Sequence, residues 1–145
     1  MDSTIVHFEI PADDPERAAK FYRDMFGWTI NRWENPDGIE YYIVQTVPTD
    51  QQGMPTRQGV NGGMMRRMYP SQQPVNYIAV PNVDEAVAKA ESLGAKVMMG
   101  KTPVPGMGWF AQLTDPEGNV IAVWETDMAA AAEQTTSAQA DGAGR

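Results

Sequence analysis

Two stretches of this chain follow one pattern. Residues 7–15 read HFEIPADDP, and residues 77–84 read YIAVPNVD. A shift of 70 positions lays Tyr77 on His7, Pro81 on Pro11, Asp84 on Asp14 and Ala88 on Ala18. In each copy a short apolar strand enters a turn, then an acidic helix start, then a helix closed by Gly27 or Gly94. An internal repeat constrains a fold strongly, because two like units can share one core. It also creates equivalent positions, and the pair at the start of each copy is His7 and Tyr77.

The rest of each copy follows the same order. Asp14-Pro15-Glu16 predicts a helix N-terminus, with Asp as cap and Pro at the first position. Ala18, Tyr22, Met25 and Phe26 then share one helical face. Strands are expected at 4–10, 28–34, 39–47 and 61–67, with a hairpin turn at Asn35-Pro36-Asp37-Gly38. Residues 48–60, rich in Pro, Gly and Gln, read as a mobile loop. The second copy predicts a strand at 75–81 and a helix from near Asp84 with Ala86, Ala90 and Leu93 on one face. Strands at 95–99, 109–114 and 119–125 follow, with GKTPVPGMG as a loop. Each half is β-α-β-β-β. Module one is placed at 4–68 and module two at 74–126, within a single domain 1–126. Residues 127–145 are small and polar and read as a flexible tail without chemistry.

Composition removes several function classes. There is no Cys, so disulfides, thiolate metal sites and cysteine nucleophiles are excluded. A net charge of −8 argues against a nucleic-acid partner. Arg66-Arg67 is the notable basic pair, and neighbours on a strand point to opposite faces. No apolar run reaches the roughly 18 residues of a membrane span, and the N-terminus lacks signal-peptide features, so a cytoplasmic protein is expected.

The stretches HFEIPADDPERAAKFYRDMFGW, YIAVPNVDEAVAKAESLGAKV and PGMGWFAQLTDPEGNVIAVWE resemble the vicinal oxygen chelate superfamily. This superfamily includes glyoxalase I, extradiol dioxygenases, and fosfomycin- and bleomycin-resistance proteins. The resemblance covers residues 4–126 and implies an α+β fold, with two βαβββ modules forming a cup-shaped mixed β-sheet and the helices outside. It also implies a homodimer. In metal-dependent members, ligands come from the first and last strands of the modules. Carried over, these positions are His7, Tyr77, Ala122 and a residue within Gly63-Met64-Met65.

That set is poor in donors. His7 can ligate a divalent metal as neutral imidazole. Tyr77 is a weak ligand at neutral pH, since a phenol titrates near about 10. Ala122 offers no donor, and Met suits Cu(I) rather than Mg, Mn or Zn. His7 is the single His of the chain, so a two-His-one-carboxylate iron site cannot form within it, short of two His7 residues meeting across a dimer.

Strand alternation sets His7 and Glu9 on one face and Phe8 and Ile10 on the other. Phe8 and Ile10 suit the surface beneath a helix, which assigns His7 and Glu9 to the cup as catalytic candidates. The plain alternative is a hydrogen-bonded His with Glu9 at the wet mouth. Ligand-binding candidates are Tyr41, Met64, Met65, Tyr77, Met107 and Trp109, with ordinary core as the alternative for each. The reading that fits best is a glyoxalase/bleomycin-resistance-like protein binding a small organic molecule without the usual metal. One alternative is a glyoxalase-type metal-dependent lyase or isomerase, with His7 on Zn, Ni, Mn or Fe. The other is a metal-free enzyme with His7 or Glu9 as base.

Overall fold

The computed structural model describes residues 1–130. The chain divides into two compact units, one comprising Ile5–Asn76 and the other Met1–Thr4 together with the chain from Tyr77 onward. The first carries β1 (Ile5–Ala12), α1 (Pro15–Phe26), β2 (Thr29–Arg32), β3 (Tyr41–Gln45) and β4 (Gly62–Arg66). The second carries α2 (Val83–Ser92), β6 (Lys96–Val104), β7 (Gly108–Thr114) and β8 (Val120–Thr126), with β5 (Val75–Ala79) leading into it. Within module one the strand order is β2-β3-β4-β1, and within module two it is β6-β7-β8-β5. The sequence repeat is therefore a repeat of topology. The fold class is α+β with two βαβββ modules, as expected.

In module one, β1 runs parallel to β4, and β2-β3-β4 are antiparallel. Alternation sends Phe8, Ile10, Ala12, Ile30, Tyr42, Val44 and Met64 to the face under α1, where they pack with Ala18, Ala19, Tyr22 and Trp28. Full burial of Ile30, Val44 and Met64 contributes about 1.5–3 kcal/mol each relative to exposure. Two residues expected on this face lie elsewhere. Met25 is 64% exposed, and Phe26 is 53% exposed, with its ring tilted against Trp28. The inward stripe of α1 is Pro15, Ala18, Ala19 and Tyr22.

Capping explains the helix starts. The Asp14 carboxylate accepts from the Arg17 N–H at 3.1 Å, Pro15 follows, and Gly27 closes the helix at φ 72. In α2 the cap is Asn82, which accepts from the Glu85 N–H at 2.9 Å. The aligned Asp84 lies in the first turn and pairs with Lys101. Leu93 is not on the buried face: it ends the helix and is 68% exposed.

The largest departure is β6, which continues to Val104 where a loop is expected. Thr102, Pro103 and Val104 pair with Phe110, Trp109 and Gly108, with two register shifts earlier in the strand. A proline is tolerated because β6 pairs on one side only, with β7, in its module. Loop 48–60 is held by its own bonds: the Asp50 carboxylate accepts from the N–H groups of Gln52 and Met54. Arg66 and Arg67 both reach Asp13, through its carbonyl and its carboxylate respectively, and Arg66 also pairs with Glu40. The expected tail begins in an ordered way. Asp127 accepts from the Trp109 indole N–H, and Ala130 is fully buried; residues 131–145 lie outside the described residues.

Asp14→Ala and Asn82→Ala each lower stability by about 1 kcal/mol in urea unfolding, the ordinary value of a helix cap. Unchanged stability in both variants contradicts the capping assignment.

Candidate functional site

The face of module one opposite α1 is set by register. Glu9 lies opposite Gly63, Gly63 opposite Ile43, and Tyr41 opposite Met65. His7, Glu9, Tyr41, Ile43, Gly63 and Met65 therefore share one side of the sheet. Met64 does not. It is fully buried under α1, so this candidate lies on the face away from His7.

Three side chains on this face form a hydrogen-bonded chain. The Tyr41 hydroxyl donates to Glu9 Oε2 at 2.9 Å and lies 3.0 Å from His7 Nε2. A phenol has one proton. With that proton donated to Glu9, the Tyr41 oxygen accepts from His7 Nε2–H, which leaves the acceptor lone pair of the neutral imidazole on Nδ1. Burial lowers the His7 pKa from 6.5 to about 4, so the ring is neutral at physiological pH. Trp33, just past β2, meets the Tyr41 ring edge-on at 6.2 Å between centroids and is 37% exposed. Gly63 completes the arrangement by omission. A Cβ there would collide with the end of the Tyr41 ring and its hydroxyl.

The donor set does not fit the divalent metal that the resemblance implies. Among the described residues, no three His, Cys, Asp or Glu side chains come together to hold an ion. His7 and Glu9 are both engaged by Tyr41, and Gly63 on the adjacent strand supplies no donor.

Module two presents different chemistry. Tyr77 is buried, packs against Phe110 at 5.9 Å, and its hydroxyl lies 3.5 Å from Gln112 Nε2, the long limit of a hydrogen bond. Gln112 is opposite Ala122, which is fully buried. Trp109 faces the other way. It packs under α2 with Ala111, Leu113 and Val123, and Lys101 lies 4.5 Å over its ring. Met107 is exposed in the turn before β7, its carbonyl accepting from the Asp127 N–H.

Sequence reasoning thus missed Trp33 in module one and Phe110 and Gln112 in module two, and it reached Gly63 only as one of three residues for the last-strand position of module one. Hairpin alternation pairs Trp33 with Tyr41, and a Gly-Gly in a strand signals a close approach. The face of WFAQLT was not decidable, since alternation gives two faces without saying which one a helix covers.

The His7 shift has a definite sign. Between about pH 6.5 and pH 4 the unfolded chain binds a proton that the folded one refuses, so stability falls as pH falls through that window. Going from about pH 7 to about pH 4.5, the wild type loses about 2 kcal/mol more than His7→Gln, whose amide does not titrate. Equal losses by urea unfolding contradict a neutral, buried His7.

Comparison with known proteins adds the lineage. Residues 4–46 match the family model described as bleomycin resistance protein-like N-terminal. The anthracycline biosynthesis protein DnrV of Streptomyces peucetius is 28% identical over 135 residues, covering 88% of this chain and 49% of that protein. A candidate glyoxylase of Mycobacterium tuberculosis, CFP32, is 30% identical over 122 residues, covering 83% of this chain and 43% of that one. The chain thus spans about half the length of the curated relatives it matches. Among solved structures, methylmalonyl-CoA epimerase from Mycobacterium tuberculosis shares the fold, with a TM-score of 0.61 at 15% identity over 85% of this chain and 87% of that one. These sequence relatives and the repeated βαβββ topology point to the vicinal oxygen chelate superfamily, as the resemblance implies.

Proposed function

We propose that this chain binds a small, flat organic molecule on the His7 face of module one, without a divalent metal. The observation that carries the reading is the Tyr41 hydroxyl. It ties together the imidazole and the carboxylate, the two donor groups that β1 puts on this face. A ligand meets an ordered hydrogen-bonding chain beside an apolar and aromatic wall of Trp33, Ile43 and Met65. Trp33 and Ile43 are each 37% exposed, which suits stacking against a planar ring. The net charge of −8 favours a ligand that carries a cationic group. The relative named for anthracycline biosynthesis supports a polycyclic aromatic class.

A metal-free proton-transfer enzyme is the second reading, favoured by the same chain. Glu9 would act as base toward an acidic C–H of the ligand, with Tyr41 holding the carboxylate in place. It requires turnover of the ligand as well as binding, detected as exchange of that proton with deuterated water.

Titration with an anthracycline, read by tryptophan fluorescence, gives saturable quenching. Trp33→Ala and Tyr41→Phe each weaken binding at least about fivefold, equivalent to about 1 kcal/mol. Absence of saturable quenching by anthracyclines and simpler planar aromatic amines contradicts the reading. So does quenching that neither variant alters.

A further inference from the structure

We propose that Gly63 is the residue that decides what joins His7 to Glu9: its missing side chain lets the Tyr41 phenol take the place where a ligating side chain would hold a metal. The inference rests on the metal-free reading above and assigns that property to one position.

Gly63 is buried in the middle of module one's sheet, opposite Glu9 on one side and Ile43 on the other. Its φ lies outside the left-handed region, so glycine is not required there by the backbone. The requirement is for space. A Cβ at this position would collide with the Tyr41 hydroxyl, Cζ and Cε2. Those atoms belong to a rigid ring, and Trp33 packs against it edge-on. The phenol therefore cannot yield by a small rotation of a flexible tip, and residue 63 and Tyr41 compete for one volume. Any side chain at position 63 shares the face of His7 and Glu9, since paired residues of adjacent strands point the same way. A carboxylate there would add a third donor to the two already present while expelling the phenol that engages them.

The competition makes position 63 a switch in specificity. With glycine, the site is a hydrogen-bonded chain of imidazole, phenol and carboxylate suited to an organic ligand. With a carboxylate, it is a three-donor cluster suited to a divalent cation. Neighbouring Gly62 has a different reason: a Cβ there meets the Phe8 carbonyl and ring, which belong to the packing of β1.

The test is calorimetric titration of the full chain, free of histidine tags, with zinc chloride or nickel chloride alone. Gly63→Glu binds one equivalent at least about tenfold more tightly than the wild type, and adding His7→Ala removes the gain. Where Gly63→Glu fails to fold by circular dichroism, Gly63→Glu with Tyr41→Ala relieves the collision and gives the same result. A folded variant with no gain, or a gain indifferent to His7, overturns the role given to Gly63. Wild-type protein that binds either metal as tightly as the variant, through His7, overturns instead the metal-free reading on which the inference rests.

Discussion

The hydrogen bonds of one phenol organise the candidate site. Tyr41 donates to Glu9 and accepts from His7, and each link constrains the others. The carboxylate claims the single phenolic proton, so the oxygen accepts and the imidazole must present Nε2–H. Burial keeps that imidazole neutral, with a pKa near 4. The chain can exist only where two strands supply residues on one face and the strand between them is bare. Strands β1 and β3 supply the residues, and Gly63 on β4 leaves the space.

The two modules show how one scaffold carries different chemistry. Both have a strand leading to a capped helix, then three strands with the last beside the first. On the face away from α1, module one carries an imidazole, a carboxylate and a phenol in one chain. The corresponding position of His7 in module two is Tyr77, buried against Phe110 and near Gln112. Packing under the helices is apolar in both, through Met64, Val44 and Ile30 in one and Val83, Leu113 and Val123 in the other. The repeat preserves what folds the chain and leaves the polar faces to diverge.

Much of this was legible in the sequence. The repeat established module topology, and Asp14-Pro15 with Gly27 bounded α1 almost to the residue. Alternation placed His7 and Glu9 together, and Tyr41 was a ligand-binding candidate whose face alternation did not decide. It failed where a local pattern has two solutions. GKTPVPGMG has loop composition, yet pairing with β7 carries β6 through Pro103 to Val104. Met64 and Trp109 look like pocket walls, but they lie one residue out of phase with the polar faces of their modules. Asp84 aligns with the cap Asp14, while Asn82 reaches the free N–H of Glu85. The role of Gly63 was invisible because it depends on Tyr41, which meets it only through sheet register.

His7 is the only histidine of the chain, so nitrogen-15 NMR of tag-free protein observes a single imidazole. The account predicts a neutral ring protonated on Nε2 with a titration midpoint near pH 4. A ring protonated on Nδ1, or a midpoint at the ordinary value of 6.5, would contradict it.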